Sequence, residues 1–314
     1  MNRPVLRTEL CDILGIEYPI MLAGMGVWGM GTPPELVAAV SDAGGLGVLG
    51  GSALSPEEVR RRIQRVRQMT DKPFGVDLLL PASLAKSSTT RTGVREDLSK
   101  NHPEHVKFMH GLLERFELTQ APVENDIVNS DEYAEAQIQV VLDEEVPIFA
   151  AGLGDPARII PRAREQKMVV IGLAGTVRHA ERNRDAGVDI VVCQGTEGGG
   201  HTGPVATLPL VSQAVEAIAP IPVVAAGGIT GGRSIAAALT LGAIGVWMGT
   251  AFLIAEEGGL PDTVKGDIVD GKATDFRISE AWTGKTLRAK KNVISDAWAE
   301  SGLKPLPTPH QRVL

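Results

Sequence analysis

Short apolar runs rich in β-branched residues alternate along the chain with amphipathic segments. Eight such runs predict β-strands, at residues 19–23, 46–50, 74–80, 147–151, 168–173, 188–193, 221–227 and 244–249. The intervening segments carry helix signals, as where Ser55 is placed as an N-cap before Glu57 and Glu58 in a first turn. This alternation is typical of parallel strands joined by crossover helices. Eight units in order favour a (β/α)8 TIM barrel, with an open doubly wound sheet as the alternative.

Two segments depart from this repeat within a single predicted domain over residues 1–314. The segment of about 82–130, after the third strand, is too long for an ordinary connection and predicts an insertion or lid. It would hang over the face where barrels hold their active sites, and its stretch "HVKFMHGLLERFEL" has the pattern of an amphipathic helix. Residues from about 256 to 314 predict a C-terminal extension.

Composition and charge narrow the classes of partner. With 43% hydrophobic and 22% charged residues the chain is globular, and its net charge of −7 leaves no basic excess to neutralise nucleic-acid phosphates or to attract an anionic membrane. The most apolar stretch, residues 239–255, is short for a membrane span and is interrupted by three glycines. The N-terminus lacks a signal-peptide pattern, and Cys11 and Cys193 are too few for a disulfide framework. We therefore expect a cytoplasmic protein.

Glycines follow the two last predicted strands. Gly227 and Gly228 come after the seventh strand, and Gly249 with Thr250 comes after the eighth. Phosphate-binding barrels use these two loops, because glycine lets backbone N–H groups approach the anion. The pattern predicts a phosphate site; the alternative is that the glycines only permit tight packing.

Several motifs together resemble one enzyme family. They are "AGMG" (23–26), "SDAGGLGVLGG" (41–51), "EGGGHTG" (197–203), "VVAAGGITGGR" (223–233) and "AAALTLGAIGVWMGTAFL" (236–253). In this order they are similar to the nitronate monooxygenase family, formerly called 2-nitropropane dioxygenases, which also includes the type II enoyl-acyl-carrier-protein reductases. The resemblance covers most of residues 15–255 outside the insertion.

The resemblance implies a TIM barrel that binds FMN. It implies that the flavin phosphate lies on Gly227, Gly228, Gly249 and Thr250, that Ala23, Gly24 and Met25 lie beside the isoalloxazine ring, and that Gly199 and Gly200 lie near the ribityl chain. Asp77 is a further residue predicted to bind the cofactor, because it stands where many relatives have an asparagine that contacts the flavin. A negative charge on Asp77 would disfavour an anionic reduced flavin, so the tuning of the flavin is an open question.

His201 is the predicted catalytic or substrate-orienting residue. In the family the histidine of this glycine-rich motif stands near the reactive edge of the flavin, and an imidazole can donate a hydrogen bond or exchange a proton near neutral pH. Glu197 flanks the same glycines and could hold the loop or a cation, so its role is open.

Other reactive residues have simpler interpretations. Cys193 is interpreted as a buried core thiol rather than a nucleophile. His102, His105 and His110 read as part of a solvated lid, and no metal site is predicted. A basic cluster near the C-terminus consists of Lys285, Arg288, Lys290 and Lys291. We interpret it as a solvated face. The alternative is that it binds the phosphates of a carrier thioester or a nicotinamide nucleotide.

The predicted activity is the oxidation of a small alkyl nitronate with O2 to a carbonyl compound and nitrite. The alternative is FMN- and NAD(P)H-dependent reduction, or reverse dehydrogenation, of an enoyl thioester on acyl-carrier protein or CoA, which the short segment between His201 and Thr207 favours. Quinone reduction is a lesser alternative, and a non-catalytic flavin-binding barrel is the alternative of a different class. The expected partner is a small-molecule substrate; the oligomeric state is open, with a homodimer as one option.

Overall fold

The computed structural model of the chain describes residues 6–26, 30–52, 54–80, 89–119 and 130–314. These residues belong to two compact units. The first lies within Met1–Ala82 and Tyr133–Asp270, and the second lies within Ser83–Glu132 and Gly271–Leu314.

The first unit is built on a parallel β-sheet. Its eight strands are β1 (Ile20–Leu22), β2 (Gly47–Gly50), β3 (Phe74–Leu79), β4 (Ile148–Gly152), β5 (Val169–Ala174), β6 (Ile190–Gln194), β7 (Val223–Ala226) and β8 (Gly245–Met248). All eight predicted strands are present, each shortened or shifted by a few residues at its ends.

The sheet closes on itself. Strand β8 pairs with β1 in parallel, with Val246 opposite Ile20. On the other side of β1, Leu22 N–H donates to Leu46 O over 2.8 Å and Leu46 N–H donates to Ile20 O over 3.0 Å. Because both edges of the sheet are thereby paired, the fold is the predicted (β/α)8 barrel and the open-sheet alternative is wrong.

Helices, an antiparallel strand pair and the two-residue strand Gly200–His201 complete both units. In chain order the helices are α1 (Glu9–Leu14), α2 (Pro34–Asp42), α3 (Pro56–Met69), α4 (Arg91–Asn101), α5 (Pro103–Arg115), α6 (Asp131–Asp143), α7 (Ile160–Glu165), α8 (Val177–Ala186), α9 (Thr207–Ala217), α10 (Gly232–Thr240), α11 (Thr250–Leu253), α12 (Asp262–Val269), α13 (Val293–Glu300) and α14 (His310–Val313). Ser55 caps α3 as predicted, accepting the N–H of Glu58 over 3.1 Å. No helix in the described ranges is long and apolar enough to cross a membrane.

Aliphatic side chains fill the barrel. Side chains alternate between the two faces of a strand, and residues opposite each other in neighbouring parallel strands share a face. Val48 and Ile148 belong to the barrel core, and Gly75 lies opposite both. Two residues further on, Asp77 lies opposite Gly50 and Ala150, so its side chain also points inward. Asp77 is therefore a carboxyl group near the open, carboxyl-terminal end of an apolar barrel.

The second unit contains most of the described residues of the predicted insertion together with the C-terminal segment. Helix α5 covers the stretch that the sequence predicts as helical, whereas α4 was not predicted. Strands β9 (Phe276–Ser279) and β10 (Leu287–Lys290) form an antiparallel pair. Val94, Leu98 and Leu306 form a small apolar core in this unit.

Candidate active site

The segment after β1 forms one wall of the barrel mouth. It contains Ala23, Gly24 and Met25, and it is tied down by Thr32, whose side chain is fully buried. Thr32 Oγ1 accepts the N–H of Met25 over 3.2 Å and the N–H of Gly50 over 2.8 Å, and it lies 3.2 Å from Met25 O, to which it donates. One hydroxyl group thus fixes the ends of two barrel strands relative to each other.

The glycines after β7 have backbone conformations that suit glycine. Gly227 has φ +102° and Gly228 has φ +68°. A Cβ atom built on Gly227 would lie 2.7 Å from Thr207 Oγ1, and one built on Gly228 would lie 3.0 Å from Glu197 Cβ. Both the backbone and the space around it therefore exclude a side chain at Gly227, and they disfavour one at Gly228.

The loop after β8 adjoins the wall after β1. A Cβ on Gly249 would lie 3.2 Å from Met25 Sδ and 3.5 Å from Ala23 Cβ. A Cβ on Gly199 would lie 2.7 Å from Thr250 Oγ1. The predicted ring-contacting segment, the loop after β8 and the loop that carries His201 consequently meet at one place.

Backbone donors are available in the two glycine loops. Among the described residues, the N–H groups of Gly227, Gly228 and Gly249 donate to no protein acceptor. Unpaired N–H groups on glycines at the carboxyl ends of adjacent strands form an arrangement suited to an anion.

The loop that carries His201 rests on Gln194. The two inward-facing core residues of β6 are Ile190 and Val192, so Gln194, two residues further, also points toward the mouth. Its Nε2 donates to His201 O over 2.8 Å. Gly200 has φ +76°, which turns the chain just before the half-buried His201.

Glu197 anchors the other end of this loop. Its carboxylate accepts the N–H and the Oγ1–H of Thr207, each over 2.9 Å, and the Oγ1–H of Thr196 over 3.2 Å. Burial raises the pKa of Glu197, but the hydrogen bonds from Thr207 and Thr196 outweigh it and the net pKa is lowered. Since Thr207 is the first residue of α9, Glu197 caps that helix as an anion at its N-terminus.

Asp77 is enclosed by glycines. A Cβ on Gly24 would overlap the Asp77 side chain, and a Cβ on Gly152 would lie 3.1 Å from Asp77 Oδ1. Within the described part of the chain, this buried Oδ1 has no hydrogen-bond partner. Burial raises the pKa of Asp77 well above its ordinary value, and the N–H of Gly152 works in the opposite direction to a smaller extent.

Cys193 is the buried core thiol that the sequence predicts. It is fully buried in β6, opposite Ala174 and Ala225, and burial raises its pKa to about 12. A thiol in this state is a poor nucleophile.

The histidine cluster and the basic cluster considered from the sequence lie in the second unit. There, His105 Nε2 lies 2.9 Å from Lys304 O. Arg288 stacks on the Phe276 ring at 4.6 Å, and Lys291 Nζ donates to Thr274 O over 2.8 Å. The described residues contain no group of three or more His, Cys, Asp or Glu side chains arranged to hold a metal ion.

Three residues of the mouth were missed by sequence reasoning: Thr32, Gln194 and Thr207. Each acts by a hydrogen bond to a backbone group or side chain distant in sequence. The only available signal for Gln194 was a polar residue at the end of an otherwise apolar strand, and Thr32 and Thr207 resemble ordinary helix-start residues.

Known proteins resemble this chain in sequence over nearly its whole length. The family model described as nitronate monooxygenase matches residues 7–313. A Mycobacterium tuberculosis protein named as a monooxygenase, Rv1533, is 37% identical over 98% of this chain and 83% of its own length.

Two solved structures are similar over nearly the whole chain. The nitroalkane oxidase of Streptomyces ansochromogenes has a TM-score of 0.80 at 30% identity and covers 97% of this chain and 84% of its own. FabK of Thermotoga maritima has a TM-score of 0.73 at 32% identity and covers 93% of this chain and 76% of its own.

Proposed function

We propose, from the premise that the chain belongs to the nitronate monooxygenase family, that it is an FMN-dependent oxidoreductase that oxidises alkyl nitronates with O2 to a carbonyl compound and nitrite. The proposal is carried by one observation. The unpaired N–H groups of the glycine loops after β7 and β8 lie beside the loop that bears His201. The N–H groups can bind the phosphate of a cofactor, and the neighbouring imidazole can bind an anionic substrate.

The residues present fit FMN. A side chain at Gly227 would collide with Thr207, and one at Gly249 would crowd Met25, so glycine keeps the cradle open at both positions. Free backbone donors suit a phosphate group, and Thr250 adds a hydroxyl donor beside Gly249. We therefore assign the phosphate to Gly227, Gly228, Gly249 and Thr250.

The same geometry supports further assignments for FMN. We assign the isoalloxazine ring to Ala23, Gly24 and Met25, because the loop after β8 touches this segment. We assign the ribityl chain to Gly199 and Gly200, because Gly199 adjoins Thr250. When bound, FMN supplies the electron acceptor for the nitronate and the centre at which O2 reacts.

The protein supplies orientation and charge balance. We assign His201 the role of donating a hydrogen bond to a nitronate oxygen, or of neutralising that oxygen as the imidazolium. Gln194 holds the His201 backbone through its carbonyl oxygen, so the imidazole is presented from a fixed loop. Of the two carboxyl groups nearby, Glu197 is occupied by Thr207, and Asp77 has a raised pKa that favours its neutral form. Asp77 therefore adds little repulsion toward an anionic substrate, whereas Glu197 stays ionised and is held by its hydrogen bonds from Thr207.

The proposal is tested with purified protein and propane-2-nitronate under air. We expect stoichiometric FMN, and nitrite release that depends on both the nitronate and O2. His201→Ala should retain FMN while kcat/KM falls by about 10²- to 10⁴-fold, the range for loss of a general acid or base. His179→Ala, which removes an exposed histidine of α8, is the matched control and should keep full activity. Full activity in His201→Ala would exclude the assigned role.

The second candidate is FMN- and NAD(P)H-dependent reduction of an enoyl thioester. Its support is the similarity to FabK over 93% of the chain, together with the short connection of residues 202–206 between His201 and α9. In that reaction His201 would polarise the thioester carbonyl. Anaerobic mixing with NADH or NADPH separates the candidates, because rapid bleaching of the flavin absorbance favours the reductase and its absence favours nitronate oxidation.

A further inference from the structure

Asp77 stands out because it places an ionisable group on the inward face of the barrel. The register of β3 with β2 and β4 points it into the interior, opposite Gly50 and Ala150. The residue is 6% exposed. The aliphatic barrel core, including Val48 and Ile148, lies below it toward the amino-terminal ends of the strands.

The described groups that face Asp77 carry no charge. From the segment after β1 it meets Gly24, from β2 Gly50, and from β4 Ala150 and Gly152. None of these residues has an ionisable side chain, and Oδ1 has no hydrogen-bond partner in the described part of the chain. An ionised carboxylate in such surroundings would lose its hydration without gaining a cation or enough donors.

We propose that Asp77 is held as the neutral carboxylic acid and donates a hydrogen bond from its carboxyl group to the bound flavin ring. This inference rests on the proposed function, because it takes FMN as the ligand beside Gly24. A protonated carboxylic acid can donate a hydrogen bond, whereas a carboxylate can only accept one.

The rise in the pKa of Asp77 caused by burial agrees with this assignment. Carboxyl groups kept neutral by apolar surroundings can serve as hydrogen-bond donors at neutral pH. A donor aimed at the flavin strengthens as electron density on the ring increases, so Asp77 should favour reduced FMN over oxidised FMN.

The protonation state is read directly by isotope-edited infrared spectroscopy with 13C-labelled aspartate at pH 7, on the holoprotein and after FMN removal. We expect a carbonyl stretch of a protonated acid in the wild-type protein and in Asp189→Asn, and its loss in Asp77→Asn. Asp189 is the matched control, since it is a partly buried aspartate ion-paired with Arg164 at the start of β6. Absence of the acid band from the wild-type protein would overturn the proposal.

The donor role is read from the flavin midpoint potential, which gives the ratio of affinities for reduced and oxidised FMN. We expect Asp77→Leu to shift this ratio toward oxidised FMN by about two- to tenfold, as for the loss of one hydrogen bond. Asp77→Asn keeps a donor and should stay closer to the wild-type ratio. Equal ratios in all three proteins would refute the hydrogen bond to the flavin. If Asp77→Leu does not fold, an Asp77→Ala variant serves the same comparison.

These outcomes are separable from the proposed reaction. A protein that binds FMN and shows both signatures but releases no nitrite from a nitronate would refute nitronate oxidation and leave the role of Asp77 standing. A protein that oxidises nitronates but lacks the acid band would support nitronate oxidation and refute the role of Asp77.

Discussion

Gly228 offers the sharpest test of the phosphate cradle. An alanine at this position must adopt φ near +68°, and its Cβ would lie 3.0 Å from Glu197 Cβ. Gly15 is a matched control, because it has the same φ of +68° and no atom within 4 Å of the position of a Cβ. It lies at the end of α1, outside the glycine loops of the mouth.

The two substitutions should share a stability cost and differ in FMN binding. The left-handed backbone costs an alanine about 1–2 kcal/mol at either position. Only Gly228→Ala also moves an N–H group assigned to the phosphate. Hydrogen bonds to charged groups are worth about 1.5–3 kcal/mol, which corresponds to an approximately ten- to hundredfold rise in the Kd for FMN.

Urea unfolding of the FMN-free proteins measures the loss of stability that the two variants share. Titration of each apoprotein with FMN, followed by quenching of flavin fluorescence, measures the change in the Kd for FMN. If Gly228→Ala and Gly15→Ala bind FMN with the same Kd, the phosphate does not lie on the loop after β7. If only Gly15→Ala loses stability, the backbone of Gly228 is not held in the left-handed region.

Three further results are expected. Gln194→Leu should lower kcat by about tenfold through misplacement of His201 while the Kd for FMN changes by less than about threefold; equal changes in both would indicate a general loss of structure. Cys193 should not react with thiol reagents in the native protein at pH 8, because it is fully buried and its pKa is about 12, and it should react once the protein is unfolded in urea. Hydrogen bonds from Arg61 and Arg62 hold the pKa of Glu58 at about 2. Glu58→Gln should therefore lower the free energy of unfolding by about 1 kcal/mol at pH 7, an amount discounted for solvent exposure, and this difference should shrink as the pH falls from 4.5 toward 2.

The sequence was sufficient to predict the barrel because the signals for its strands are local. Each strand is a short apolar run bounded by turn residues, and eight runs in order admit few topologies. The cap at Ser55 was equally readable, because the side chain and the N–H of Glu58 that it accepts are three residues apart. Helix α4 was missed because its many polar residues leave only a weak apolar pattern, with Val94 and Leu98 as its buried positions.

The polar interior of the mouth could be predicted only in part. The glycines were found because a turn or a close approach needs that residue type, and His201 was found because it is a lone imidazole among them. The support given by Gln194 and Glu197 depends on which backbone groups lie opposite them in space, and no local pattern encodes that. The uncharged surroundings of Asp77 among the described residues likewise follow from the register of three strands rather than from its neighbours in sequence.

Thr32 makes the mouth intolerant of an otherwise mild exchange. Its hydroxyl uses its single donor and both acceptor positions on the backbone of Met25 and Gly50, so its hydrogen-bonding capacity is fully used. Valine has nearly the same shape but would leave two N–H groups and one carbonyl oxygen buried without partners, whereas serine would satisfy all three. This position therefore accepts threonine or serine and rejects the apolar residues that fill the barrel beneath it.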